Sequence, residues 1–304
     1  MAISRTQLVK ELEPGLNALF GLEYKRYENQ HAEIYVTESS DRAFEEEVML
    51  SGFANAQVKA EGQGVSFDTA QETYTARYTH DTVALAFAIT EEAIEDNLYD
   101  RLASRYTKAL ARSMSNAKQV KAAKPLNDGL PSTDNFDSGD AVSLFSTNHA
   151  TVSGTAVKNT LTTQADLNET SLEQALIDIA AMTDERGLRV AARAMKMIIP
   201  SANQFTAERL MKSQGRTGTA DNDINAVVSM GMVPQGYRVN NFLTDTDSWY
   251  VITDVPNGMK MFQRAALKTA MEGDFDTGNV RYKARERYSF GVSDFRGIFG
   301  CEGA

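Results

Sequence analysis

The residues of this chain that could do chemistry are few and lie apart. A metal site needs histidines, thiolates or carboxylates at spacings that carry three or four of them to one point. His31, His80 and His149 are the only histidines, and they fall on three different stretches without cysteine or acidic residues at ligand spacing. Each therefore reads as a structural or surface residue. Cys301 is the single cysteine. A distant histidine could pair with it as a nucleophile, but it stands in a short glycine-bearing tail with nothing to hold it rigid. Asp128, Asp134, Asp137 and Asp140 crowd one loop, yet the glycine and closing glutamate of an EF-hand do not follow Asp134. That loop reads as a solvated connector. No Gly-x-Ser-x-Gly elbow or dinucleotide-binding glycine fingerprint opens a strand-to-helix turn. The glycines between Ser213 and Asp223 lack the lysine and hydroxyl that complete a phosphate loop. The expectation is a chain with no catalytic, cofactor or metal residues; the alternative is a soluble enzyme of unrecognised class.

A pattern suited to binding stands near the end of the chain. Val280-Arg-Tyr-Lys-Ala-Arg-Glu-Arg-Tyr-Ser-Phe290 alternates, so that in a strand Arg281, Lys283, Arg285 and Arg287 share one face. The other face carries Val280, Tyr282, Ala284, Tyr288 and Phe290, interrupted only by Glu286. Four like charges in a row repel one another, so acidic groups from elsewhere in the chain or from another chain must lie against them. Glu45, Glu46, Glu47, Glu91 and Glu92 are the candidates. Exposed ion pairs contribute little singly, and only a network of them would matter.

Composition fits this reading. The 304 residues are 42% hydrophobic and 24% charged, ordinary for a globular chain with a substantial core. The net charge of -10 excludes a chain-wide basic footprint for nucleic acid. With one cysteine there is no internal disulfide framework, and stability must come from packing and assembly. Charges interrupt the first fourteen residues before any long apolar run develops, so they read as neither a secretory signal nor a membrane anchor. A soluble, cytoplasmic product is expected.

The elements that would position these residues form an α+β pattern. Residues 1 to about 45 read as an arm, with helical pieces at 7–13 and 16–27 broken by Pro14-Gly15. Ala56–Ala60 and Thr73–Thr79 read as the strands of a projecting hairpin with Gly62 and Gly64 at a permissive tip. A long helix runs from Thr90 to about Lys124, capped by Thr90, favoured by Glu91 and Glu92, and stopped by Pro125. Its large apolar residues, Ile94, Leu98, Leu102, Tyr106, Leu110 and Met114, recur every four positions, so the stripe drifts about 40° per step around the helix. A second helix starts at the capping box Thr170-Ser-Leu-Glu173, with Leu172, Leu176, Ile179 and either Met182 or Ala180 as its stripe, and ends at Gly187. Ala194–Ile199 reads as a buried strand, and Ser201–Ser213 as a third helix boxed by Ser201 and Gln204.

Several of these pieces, taken in order, resemble a known family. Trp249-Tyr-Val-Ile-Thr-Asp254, Phe275-Asp-Thr-Gly-Asn-Val-Arg-Tyr-Lys-Ala-Arg-Glu-Arg-Tyr288 and Gly291-Val-Ser-Asp-Phe-Arg-Gly-Ile-Phe299 look like the end of a tailed-bacteriophage major capsid protein. The likeness is to the Mu-like major head subunit group of the Hong Kong ninety-seven type capsid fold. Phe87-Ala-Ile-Thr-Glu-Glu-Ala-Ile-Glu-Asp96, Leu144-Phe-Ser-Thr-Asn-His149, Asp184-Glu-Arg-Gly-Leu188, Lys196-Met-Ile-Ile-Pro200 and Ala207-Glu-Arg-Leu-Met-Lys-Ser213 continue it upstream. It covers roughly residue 45 to the end.

The resemblance implies an amino-terminal arm over 1–50 and an extended loop hairpin over 51–85. A peripheral domain with a spine helix would occupy 86–140, a mainly axial domain 141–255, and 256–304 would return to the peripheral strands. It implies hexamers and pentamers closing an icosahedral shell around phage DNA, assembled in the host cytoplasm with portal, scaffolding and decoration proteins. The contact candidates between subunits are Lys59, Gly62, Gly64, Glu91, Glu92, Arg281, Lys283, Arg285 and Arg287. Some members of the family join subunits by a lysine to asparagine cross-link, for which Lys59 with Asn257 or Asn279 would be available; a non-covalent shell is the expectation. A nanocompartment shell enclosing an enzyme instead of DNA shares the fold and is the nearest rival.

Overall fold

The computed structural model describes residues 5–90, 92–93, 99–133, 135–216, 223–274 and 278–304, with side chains from residue 13 onward except 99–102. The elements, in order, are α1 (Arg5–Arg26), β1 (Val36–Ser39), β2 (Phe44–Leu50), β3 (Glu72–Thr79), β4 (Asp81–Ile89) and α2 (Tyr99–Asp128). There follow α3 (Glu169–Ala181), β5 (Ala194–Ile199), α4 (Gln204–Lys212), α5 (Ala226–Ser229), β6 (Tyr237–Val239), β7 (Trp249–Thr253), β8 (Met259–Gly273), β9 (Val280–Val292) and β10 (Ile298–Cys301). One sheet has the order β1-β8-β9-β4, a second β10-β7-β5-β6, and β2-β3 is a separate hairpin. Among the described residues, no helix is long and apolar enough to cross a membrane.

Two cores explain this arrangement. The even-numbered face of β9 offers Tyr282 and Ala284, and with Ile89 of β4 it packs against Leu16 and Phe20 of α1 and Ala103, Leu110, Ala111 and Met114 of α2. The last turns of α2 leave that core for the larger one, where Ala122 and Leu126 meet Phe145, Leu172, Ile198, Trp249, Tyr250 and Phe299. The long helix thus changes partners along its length, as its drifting stripe predicts. Tyr106 departs from that stripe. It is 49% exposed, whereas the small residues Ala103 and Ala111 are fully covered. At about 100° per residue Tyr106 stands at the rim of the arc that Ala103, Leu110, Ala111 and Met114 bury, and the four-residue ladder drifts onto that arc at Leu110 and Met114.

Several boundaries move. Pro14 lies inside a continuous α1 and does not divide it. A proline removes one donor and crowds one carbonyl, a cost of about 3 kcal/mol, and burial of Leu16 and Phe20 against α2 offsets it. Pro125 likewise lies inside α2, which ends at Asp128. Around it the Tyr35 hydroxyl donates to the Ala122 carbonyl at 2.6 Å and the Tyr250 hydroxyl to that of Leu126 at 3.1 Å. At the other end, Thr90 accepts a bond from the Ala93 amide at 3.4 Å. Glu91, Ile94 and Leu98 lie outside the described residues, as does Asp134, and the side chain of Leu102 is not described. The cap of α3 is Asn168, whose side chain accepts from the Ser171 amide while the Ser171 hydroxyl receives the Asn168 N–H; it is not Thr170 with Glu173. Ser201–Asn203 forms a 3-10 turn without a side-chain cap, and the helix proper starts at Gln204. The hairpin pairs Phe44–Leu50 with Glu72–Thr79, so the outgoing strand precedes the predicted 56–60 segment.

A polar seam fastens α1 to the interior. Glu286, 1% exposed on the covered face of β9, accepts from Lys118 of α2 at 3.3 Å and from the Tyr24 hydroxyl at 3.5 Å. The next residue, Gln119, accepts the His31 amide and donates to its ring, both at 3.0 Å. Burial, and then the Lys118 charge, lower the His31 pKa to about 4. Burial pushes the Glu286 carboxyl above its ordinary range against the opposing pull of Lys118.

Two outcomes follow from the seam. Glu286→Gln leaves the Lys118 ammonium buried without a counter-ion and should cost about 3–5 kcal/mol, whereas Lys118→Met with Glu286→Leu should recover most of it. Urea unfolding of the three proteins at pH 7 measures this, and equal losses in single and double variants would contradict the pairing. His31 is held neutral in the fold but protonates near pH 6.5 once released. The stability lead of the native chain over His31→Gln should therefore shrink by up to about tenfold in folding equilibrium per unit as pH falls from about 6.5 towards 4. A lead that does not change with pH would refute that.

Candidate assembly surfaces

The cationic row forms as the alternation requires. Arg281, Lys283 and Arg285 are exposed and Arg287 is half-buried, while Val280, Tyr282, Ala284, Glu286 and Tyr288 between them are buried. Three of the acids proposed for them are engaged elsewhere. Glu45 accepts from Ser40 at 2.7 Å, Glu46 faces Arg77 at 3.7 Å, and Glu47 accepts from Lys260 at 2.5 Å. These three sit on β2 and reach their own hairpin and β8 before they can reach the row. Glu92 is exposed just before α2. Arg281 pairs with Asp274 across the turn between β8 and β9, and Arg287 donates to the His80 and Ala43 carbonyls at 3.4 and 3.5 Å. Lys283 and Arg285 have no ion pair among the described residues. Directly opposite Arg285 on β8 stands another exposed cation, Lys268. Like charges face each other there with no intervening carboxylate, which is unfavourable in an isolated sheet.

The projecting segment is equally incomplete. From residue 53 to 71 every residue is exposed and none is in regular structure. Val58 is 100% and Phe67 97% exposed, with Val65 and Phe53 close behind. Gly62 has φ +78 in the turn closed by the Gln63 amide on the Ala60 carbonyl, a left-handed conformation that disfavours other residues. A side chain at Gly64 would meet nothing within 4 Å, so that position is open and needs glycine for no steric reason. Lys59 is exposed and forms no hydrogen bond to Asn257 or Asn279 within the subunit. The stem, by contrast, is anchored. The Tyr78 ring covers Gly291 so closely that a Cβ there would lie 2.5 Å from it, and its hydroxyl bonds Ser293.

The residues with possible chemistry serve the scaffold. His80 lies between the hydroxyls of Ser40 and Ser289, each at 2.9 Å, and burial lowers its pKa. His149 is fully buried, stacked on Phe295 at 3.8 Å, with Asp140 at 2.6 Å and Asn159 at 3.1 Å on its two ring nitrogens. Asp140 thereby acts inside the fold rather than as part of a solvated loop. Cys301 is no loose tail residue: it is buried in β10 opposite Trp249, and burial raises its thiol pKa. One cleft, about 640 Å³, is lined chiefly by Leu176, Met195, Met230, Met232 and Pro234, and its one carboxylate, Asp254, accepts the Arg193 amide at 2.7 Å. Among the described residues no three His, Cys, Asp or Glu side chains are grouped to hold a metal.

Sequence reasoning missed one cluster altogether. Arg296 is 2% exposed, and its guanidinium reaches Glu185 at 2.7 Å, Asp294 at 3.2 Å and the Thr183 carbonyl at 2.8 Å. It ties the β9–β10 connection to the turn after α3. The only signal was an arginine inside an otherwise apolar carboxy-terminal run, because buried arginines need paired carboxylates.

Comparison with known proteins agrees with this geometry. A model of the phage capsid protein family matches residues 73–300. No curated protein matches the chain significantly in sequence. Among solved structures, the virus-like particle from Pyrococcus furiosus is 10% identical with a TM-score of 0.53, over 95% of this chain and 98% of that one. The capsid of Myoviridae phage XM1 is 11% identical with a TM-score of 0.51, over 89% and 90% of the two chains. The capsid of an empty GTA particle is 15% identical with a TM-score of 0.52, over 91% of each. At these identities the structural likeness establishes the fold, and the family match, which takes in everything from β3 to β10, establishes the kinship. The chain belongs to the phage capsid protein family and is a structural major capsid protein.

Proposed function

We propose that this subunit forms hexamers and pentamers that tile a closed icosahedral shell around phage double-stranded DNA, and that it performs no catalysis. The observation that carries this reading is the exposed stretch 53–71, with Val58, Val65 and Phe67 left in solvent beyond a firmly anchored stem. A monomer gains nothing from displaying that surface, whereas a neighbouring subunit can bury it. Lys59, Gly62 and Gly64 lie at its tip, and Arg281, Lys283, Arg285 and Arg287, with Glu91 and Glu92, supply charged contacts between copies. In this reading 86–140 with 256–304 forms the peripheral domain and 141–255 mainly the axial one. The arm over 1–50 and the hairpin loop over 51–85 are exchanged between neighbours. Portal, scaffolding and decoration proteins complete the virion, which assembles in the host cytoplasm. The acidic balance of the chain suits a wall that contains DNA without gripping it.

A cargo-enclosing compartment shell is the second reading, favoured by the likeness to the Pyrococcus virus-like particle. Protein instead of DNA inside purified particles would decide for it.

Replacing residues 53–70 by a short glycine-serine linker tests the proposal. The stem keeps its internal contacts, so the thermal transition of the subunit should move little, and assembly into particles should be lost in sedimentation. A variant that assembles as the native chain does would overturn the role assigned to the segment.

A further inference from the structure

The free edge of β4 lies beside the cationic row and shares its face. In the register of β4 with β9, Ala84 stands opposite Arg285, Ala86 opposite Lys283 and Ala88 opposite Arg281, so all six residues project from one side of the sheet. The three alanines are exposed. Strands lie about 4.8 Å apart, so a strand added outside β4 would sit about 10 Å from β9. Only methyl groups intervene, and the long side chains of β9 can lie across that lane with their charged ends at the new strand.

Among the described residues, the edge itself carries none of the usual protection. β4 is the terminal strand of its sheet. Its sequence, Asp81-Thr-Val-Ala-Leu-Ala-Phe-Ala-Ile89, has no proline, glycine or charge after Asp81. Unpaired edges of this length and flatness recruit other strands unless a charge, proline or bulge blocks them. On the helix-facing side Leu85 is 46% exposed although its paired neighbour Ala284 is fully buried. The apolar layer beneath the sheet therefore runs out at the edge with a leucine uncovered.

We infer that β4 is completed by an extended segment of a second copy of this chain, which adds a strand to the edge and sets carboxylates against Lys283 and Arg285. Charge selects the partner. The chain carries a net -10 even with this row included, so another copy presents abundant acid, and an acidic residue at every second position of an extended strand would match the period of the row. This rests on the shell reading and specifies one contact within it.

Hydrogen exchange by mass spectrometry, on unassembled subunits and on particles of the full chain, tests the inference. Amides of 81–89 should exchange more slowly in the particle by about tenfold or more, as newly paired edge amides do. Leu85→Lys, which adds a blocking charge at an exposed position, and Lys283→Glu with Arg285→Glu should each leave the subunit's thermal transition in place and raise the concentration needed for assembly. Particles that form normally while 81–89 exchanges as in the free subunit would overturn the inference and leave the shell reading standing. Failure of the native chain to assemble under any condition would overturn both.

Discussion

The packing of α2 across the even-numbered face of β9 is the contact on which the rest of the structure depends. It fixes which side of β9 is dry, and strict alternation then throws Arg281, Lys283, Arg285 and Arg287 to the other side. It also fixes where β8 and β4 lie, since both pair with β9 along most of their length. The buried Glu286 with Lys118 is a consequence of the same packing. A carboxylate on the dry face is tolerable only because a lysine of the helix reaches it, and the pair holds the two elements in one register.

Much of this was legible from the residues. The alternation of β9, the stripe of α3 and the apolar run of β5 gave elements and faces correctly, because each is a burial pattern with one period. What failed were features decided by competition between neighbours. Pro14 and Pro125 did not end helices, since packing on either side outweighed one missing donor. The cap of α3 moved to Asn168 because its side chain and that of Ser171 satisfy each other's amides two residues ahead of the threonine and glutamate box. The outgoing hairpin strand escaped notice because its glutamates hid a period of two, and those glutamates then proved to be spoken for by Lys260, Arg77 and Ser40. The Arg296 cluster joins residues more than a hundred positions apart, so the lone arginine that marks it does not reveal Thr183 and Glu185 as its partners.

The candidate surfaces share a physical character that a lone globular chain would not keep. Fully exposed valine and phenylalanine on the 53–71 stretch, an unblocked strand edge and cations facing each other across two strands are each unfavourable in water. Together they mark the surface of the subunit as unfinished. The histidines, the cysteine and the Arg296 cluster are buried within the scaffold and bonded there. A shell spreads stabilisation over many repeated contacts, none of which needs to be strong.

Electron microscopy of the purified native chain, alone and with a candidate scaffold co-expressed, tests the central claim most directly. The account predicts closed particles of uniform diameter whose subunits cover the 53–71 segment of their neighbours. A monomer that persists at every concentration tried, with scaffold present, would contradict it.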